Sequence, residues 1–95
     1  MIPKQLVESI IKKTEIADLI SEFVDLTPNG IHLKGVYPFR YSSSFTVAQE
    51  KNIWKCFKCG KGGDTVKFIE ELQKVNFSEA VRYLAHRLNI EIPQE

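Results

Sequence analysis

The stretch that most constrains the fold runs from Trp54 to Asp64 and reads WKCFKCGKGGD. Two residues separate Cys56 from Cys59 in a glycine-rich turn, a spacing typical of one half of a four-ligand zinc site. The 95-residue chain contains only these 2 cysteines. Because a domain this short usually needs a metal, a disulfide or a partner besides its core, the missing half of the site is the first question the sequence raises.

The apolar pattern predicts two helices, then strands, then two more helices. Apolar residues recur at helical spacing over residues 3–23 and again over residues 64–90. Residues 24–57 read as antiparallel strands. Elements segregated in this way indicate an α+β domain with helices packed against an antiparallel sheet. We expect one domain over residues 1–95, with a cysteine knuckle at residues 56–63.

Local signals predict where these elements begin and turn. Thr14, Asp64 and Ser78 are each predicted to cap the helix that follows them. The first hairpin is predicted to turn at residues 27–30. In the second hairpin, strands 44–48 and 52–57 flank the loop 49–51. The pleat of strand 52–57 puts Ile53, Lys55 and Phe57 on one face and Trp54 and Cys56 on the other.

The segment CFKCGKGGD, followed by a helix, resembles the N-terminal zinc-binding domain of bacterial DnaG-type primases. Four further segments match the same family in the same order: TEIADLISEFVDL, LKGVYPF, SFTV and FSEAVRYLAHRLNIEI. The resemblance covers nearly the whole chain. It implies a zinc-ribbon-like antiparallel sheet flanked by N-terminal and C-terminal helices. It also implies a role in DNA replication, in which such a domain helps choose the template start site and assists the polymerase domain.

The chain departs from this family at the first ligand pair. The family's strand ends Cys-Pro-Phe-His, whereas the matching residues here run from Tyr37 to Arg40. An Arg guanidinium stays protonated and cannot bind zinc, and a Tyr phenol is a poor ligand at neutral pH. The resemblance therefore implies a degenerate zinc site, and we expect no metal or other cofactor. Its four positions are Tyr37, Arg40, Cys56 and Cys59.

Other uses of the cysteine pair stay open. His32 and His86 lack ligand spacing to each other, so we do not expect them to complete a site within one chain. Two chains could pool four thiolates around one zinc ion. A redox pair is less favoured, because thiol oxidoreductases put the first Cys at a helix N-terminus, whereas here a helix starts several residues after Cys59. We expect Tyr37 and Trp54 to supply packing in place of the metal.

Positive charge is concentrated in the middle third of the chain. Residues 31–63 carry six basic residues against the single acidic residue Glu50. Such a surface attracts phosphate backbones, and aromatic residues interleaved with it can stack bases. We therefore predict contacts with single-stranded DNA. The predicted DNA-binding residues are Lys34, Arg40, Tyr41, Lys55, Lys58 and Lys61.

No cluster in the sequence suggests catalysis, and in the resembled primases nucleotidyl transfer belongs to a separate domain. We expect a non-catalytic accessory subunit or module that works with a primase or DNA polymerase catalytic subunit. Two alternatives remain: a protein-interaction module without nucleic-acid contact, or a fragment of a longer primase. The altered ligand positions favour a free-standing subunit. The few cysteines and the lack of a signal-peptide layout or of about 20 consecutive apolar residues predict a cytoplasmic protein without membrane contact.

Overall fold

The structure, a computed structural model, describes residues 2–36, 44–56 and 60–92. Within them, two helices precede a meander of strands and two helices follow it. This order confirms the predicted α+β class. The elements are α1 Lys4–Lys13, α2 Ile16–Ser21, β1 Thr27–Asn29, β2 His32–Val36, β3 Ser44–Ala48, β4 Ile53–Cys56, β5 Lys61–Gly63, α3 Thr65–Gln73 and α4 Phe77–Arg87.

The five strands form one antiparallel sheet in the order β1-β2-β3-β4-β5. Its two faces differ because successive side chains of a strand point to opposite sides. We call the side bearing the buried residues Phe45, Val47, Trp54 and Cys56 the core face, and the opposite side the outer face. The predicted alternation along β4 is confirmed at residues 53–56, where exposed and buried positions alternate.

Three aromatic rings join the core face to the helices. The Trp54 ring lies edge-on to Phe45 and Phe68, with centroid distances of 6.2 and 5.7 Å. All three side chains are at most 1% exposed. The Trp54 indole N–H also donates to the backbone carbonyl of Asp64 at 3.1 Å. Because tilted and edge-to-face ring pairs add to the free energy gained by burial, this cluster fixes α3 against the sheet.

The first hairpin turns later than predicted. Residues 27–29 belong to β1, and the two-residue loop consists of Gly30 and Ile31. Gly30 has a φ of 66°, and a glycine at the first loop position is what type II′ hairpin turns use. Pro28 therefore lies within a strand, which is tolerated because β1 is an edge of the sheet.

Two of the three predicted helix caps are wrong. The Thr14 hydroxyl does not cap α2, since it donates backward to the carbonyl of Ile10 at 2.7 Å. Asn76, not Ser78, caps α4, in a reciprocal capping box with Glu79. The cap at Asp64 is confirmed, because its carboxylate accepts from the Lys67 backbone N–H at 3.0 Å. The capping box of Asn76 and Glu79 is favoured over a cap at Ser78 because it satisfies two backbone donors at once.

The segment predicted as a cysteine knuckle also contains a strand. Lys61–Gly63 forms β5 and pairs with β4, which the sequence did not predict. A Cβ atom on Gly62 would lie 2.8 Å from the carbonyl oxygen of Trp54, so a larger residue would push the two strands apart. The glycine that looked like part of a flexible turn is required for close strand pairing.

The turn between β3 and β4 is tied to the N-terminal helices by Asn52. Its side-chain oxygen accepts from the Ile16 N–H at 2.9 Å. Its amide group donates to the carbonyls of Ile11 and Thr14 at 3.1 and 2.9 Å. Asn52 adopts a φ of 58°, a conformation that Asn tolerates better than most residues. One side chain thus satisfies three backbone groups at the α1–α2 corner.

None of the described helices is long and apolar enough to cross a bilayer.

Candidate nucleic-acid interface and metal-ligand positions

Two of the predicted DNA-binding residues meet in one row across the outer face. Lys34 on β2 pairs with Thr46 on β3, and Thr46 pairs with Lys55 on β4. Residues that pair directly share a face, so both lysines point to the same side of the sheet. Both are exposed. Two strand spacings separate them, a distance of about 10 Å. The fold therefore places two exposed lysines close together on one face of the sheet.

A second row on the same face lies one step along the strands. Asn29 pairs with His32, and Ala48 pairs with Ile53. Leu33 pairs with Val47 in the antiparallel β2–β3 ladder, so the adjacent residues His32 and Ala48 lie opposite each other. Ile53 is 38% exposed. This row adds an imidazole ring and a small apolar surface beside the lysines.

Lys61 does not join them. It pairs with Cys56 and therefore lies on the core-face side of the sheet. Its ammonium group is 2.8 Å from Oε1 of Glu71 on α3, and the Lys67 ammonium lies 3.7 Å from Oε2 of the same residue. The hydrogen bond from Lys61 lowers the pKa of Glu71, and the nearby charges of Lys61, Lys67 and Lys74 act in the same direction, whereas burial opposes the shift. Lys61 thus has a structural partner.

The structure describes one of the four positions predicted for a degenerate metal site. Cys56 is 0% exposed at the end of β4, on the core face. Tyr37, Arg40 and Cys59 lie outside the described residues, as do Tyr41 and Lys58. His32 is on the outer face and so on the opposite side of the sheet from Cys56. Across residues 2–36, 44–56 and 60–92, no three His, Cys, Asp or Glu side chains come together as a metal site.

Of the Phe, Tyr and Trp residues in the middle third, the structure describes two, and both are buried. Trp54 is 1% exposed, so it packs in the core and cannot stack a base, and whether this packing replaces a metal stays a prediction. Phe45 is buried beside it. The other aromatic residues of this region, Tyr37, Phe39, Tyr41 and Phe57, fall outside the described residues.

Sequence reasoning missed three features of this region. It treated His32 only as a potential metal ligand, although the spacing of His32 and Lys34 by two residues already puts both on one face of a strand. Glu71 gave no signal as the partner of Lys61, because ten positions separate them in the chain. The hydroxyl of the buried Thr65 finds no hydrogen-bond partner within the part of the chain that the structure describes.

Comparisons with known proteins agree on one family. The family model described as CHC2 zinc finger matches residues 2–95. The DNA primase of Staphylococcus epidermidis is 41% identical over 93 residues, which cover 96% of this chain and 16% of the relative. The DNA primase of Thermotoga maritima is 38% identical over 94 residues, covering 97% and 17%. The chain thus spans less than a fifth of these curated relatives.

A solved structure shows the same fold. The crystal structure of the zinc-binding and RNA polymerase domains of the Aquifex aeolicus primase aligns with a TM-score of 0.83 at 31% sequence identity. The alignment covers 95% of this chain and 22% of that one.

Proposed function

The chain belongs to the CHC2 zinc-finger family, and on that premise we propose that it is a non-catalytic template-binding module of DNA replication. It helps a primase or polymerase catalytic domain to engage single-stranded DNA and start primers. The related DNA primases are several times longer than the aligned segment. The catalytic domain therefore belongs either to the same polypeptide or to a separate subunit. We propose that the module works in the cytoplasm.

The observation that carries this proposal is the pair of lysines on the outer face. Lys34 and Lys55 share a cross-strand row and are both exposed. Cationic tracks of this kind hold the phosphate backbone of a single strand. The aligned pair gives the module a defined surface on which a template strand can run across the strands of the sheet.

Three further residues extend this surface in the proposal. β2 and β4 run in the same direction, so Val36 and Cys56 end their strands at the same end of the sheet. Arg40 and Tyr41 follow Val36 in the sequence and Lys58 follows Cys56, which supports assigning these three residues to the surface. We leave Lys61 out of the contact set, because its ammonium is bound to Glu71 on the opposite side.

We further propose that one chain holds no four-ligand zinc ion, although the family is named for its zinc finger. The chain has 2 cysteines and 2 histidines, and His32 lies across the sheet from Cys56. Arg40 replaces a ligand with a permanent cation that cannot coordinate metal. The donor set therefore does not fit a closed site of four Cys and His ligands.

Metal analysis of the purified protein tests this point. We expect no zinc after dialysis against a weak chelator, with the fold retained in circular dichroism. One tightly held zinc ion per monomeric chain would contradict the proposal. One zinc ion per two chains, found together with a dimer in light scattering, would instead identify a shared site.

Titration of labelled single-stranded DNA at several salt concentrations tests the binding role. We expect affinity to fall steeply with salt, because each phosphate contact releases condensed counterions. Lys34→Ala and Lys55→Ala should each reduce the slope of log K against log salt by about 1. Lys51→Ala is the matched control, since Lys51 is exposed in the β3–β4 turn, outside the lysine row.

Primer synthesis with the catalytic domain supplied provides the functional readout. The double charge reversal Lys34→Glu/Lys55→Glu should suppress primer initiation while the domain stays folded. Variants that fold, bind DNA as the wild type does and prime normally would contradict the proposal.

A protein-interaction role without DNA contact is the second candidate. It is favoured by two apolar side chains in the solvent, Ile31 at 79% and Phe77 at 51% exposure. It predicts that Ile31→Ser or Phe77→Ser impairs priming while both lysine variants leave priming unchanged. The same assay therefore separates the two candidates.

A further inference from the structure

His32 presents an aromatic ring on the outer face. Its Nδ1 atom is buried and lies 3.6 Å from Oε1 of Glu50 in the β3–β4 turn. The side chain as a whole is still 36% exposed. Because Nδ1 itself is covered, the exposed area belongs to the rest of the side chain. Nδ1 has no hydrogen-bond partner within the described residues, and the Glu50 carboxylate lies beside this covered edge of the ring, beyond hydrogen-bond distance.

The His32 ring lies on the same face of the sheet as the two lysines. His32 and Lys34 are two residues apart on β2 and so share the outer face. Next to His32 in its row, Ala48 and Ile53 form a small apolar surface. An aromatic ring beside a cation is the combination with which single-strand binders hold a base and its phosphate.

Within the described residues, the other aromatic rings are elsewhere. Phe45, Trp54 and Phe68 form the core cluster on the opposite face. The remaining ones follow α2 or belong to α4: Phe23, Phe77, Tyr83 and His86. His32 is thus the aromatic ring that the described part of the chain offers to a strand lying across Lys34 and Lys55.

We propose that His32 stacks on a base of the bound strand, with Glu50 as the positioning residue that holds the ring in place. This inference rests on the proposed function and deepens it, because it assigns a base-contacting group to a surface so far defined by phosphate contacts. Stacking is tolerant of sequence, since every base has a π face. The module therefore holds template without reading a particular base at this position.

The test compares three variants by their affinity for a labelled single-stranded thymidine oligonucleotide at one fixed pH. His32→Ala should lower affinity about tenfold, the loss of one base stack. Its salt slope should stay that of the wild type, since a stacked ring releases no counterions, whereas Lys34→Ala lowers the slope by about 1. His32→Phe should keep most of the affinity, because it retains the ring.

Glu50→Gln tests the positioning role. It should give a smaller loss than His32→Ala, and in the His32→Phe background it should have no effect, since that ring makes no contact through a nitrogen. Thermal melting followed by circular dichroism checks that each variant is folded.

Each outcome decides the matter. Unchanged affinity in a folded His32→Ala variant overturns the inference while leaving the lysine contacts standing. A lower salt slope in His32→Ala also overturns it, because the imidazole would then contact phosphate instead of a base. If wild-type binding does not respond to salt or to Lys34→Ala, the proposed function fails and the inference with it.

Discussion

The two faces of β4 show how one short strand separates stability from binding. Trp54 and Cys56 are at most 1% exposed and belong to the core, whereas Ile53 and Lys55 lie in the solvent on the other side. Substitutions on the core face should therefore change the free energy of unfolding. Those on the outer face should change ligand affinity and leave the fold intact.

Two lysines on neighbouring strands repeat the contrast. Lys55 on β4 faces outward, and Lys61 on β5 lies on the core-face side with its ammonium on Glu71. The same residue type therefore serves the proposed binding surface in one strand and the attachment of β5 to α3 in the next. Charge in the sequence alone cannot distinguish these uses, but the register of the sheet does.

The largest expected difference between the faces comes from removing a buried ring. Trp54→Ala should lower the free energy of unfolding by about 3–5 kcal/mol, because it leaves a cavity between Phe45 and Phe68. Lys34→Ala, at an exposed position of the outer face, should change it by less than about 0.5 kcal/mol. Urea denaturation followed by circular dichroism measures both. Equal losses of unfolding free energy in the two variants would contradict the division between a core face and a binding face.

The next effect concerns the turn that joins β3 to β4. Asn52→Ala should lower the free energy of unfolding by about 2–3 kcal/mol, since three partly buried backbone groups at the α1–α2 corner lose their partner. Asn52→Gly is the matched variant, because glycine accepts the positive φ and isolates the hydrogen bonds from backbone strain. If Asn52→Gly is as stable as the wild type, the side-chain bonds contribute nothing.

A stabilising substitution probes the core beneath α3. Thr65 is fully buried, and its hydroxyl has no hydrogen-bond partner in the described ranges. Thr65→Val removes this hydroxyl at nearly constant volume and should raise the free energy of unfolding by about 1 kcal/mol. Thr65→Ser retains the hydroxyl, loses a methyl group and should destabilise. A loss of stability in Thr65→Val would show that the hydroxyl is bound after all.

The smallest effect tests the role assigned to Lys61. Glu71→Gln should cost about 0.5–1 kcal/mol, as is usual for a partly exposed ion pair. The lowered pKa of Glu71 means that this stability is fully present above about pH 4.3, the pKa of an unfolded glutamate, and is lost as the pH falls through the lower folded value. The difference between the wild type and Glu71→Gln in urea denaturation should therefore shrink on acidification. DNA affinity should not change, and a large loss of affinity would assign Lys61 to the binding surface.

The sequence predicted the parts of the fold that depend on side-chain periodicity. The helical stripe of α4 is confirmed at Ala80, Val81 and Leu84, which are all buried. β5 could not be predicted in this way, because Gly62 and Gly63 have no side chains to show a pattern. The cap at Ser78 was mistaken because Asn76 and Glu79 satisfy each other's backbone donors, a reciprocal arrangement that outweighs a single hydroxyl.

At the candidate site, the sequence predicted which residues of one strand share a face, but not which residues of different strands lie side by side. Alternation along β4 was sufficient to place Lys55 outward. The shared row with Lys34 required the register between β2 and β3, which depends on contacts distant in sequence. The partner of Lys61 likewise became visible only when α3 was packed against β5. The assignments at Arg40, Tyr41 and Lys58 stay predictions.

The indole of Trp54 gives this domain an optical reporter of its own. The chain has 1 Trp, and its ring N–H is bound to the residue that caps α3. Its fluorescence should shift to longer wavelength when α3 separates from the sheet. Because the ring faces away from the lysine row, a strand bound there should leave the emission unchanged. Folding can thus be followed in the presence of nucleic acid without any added label.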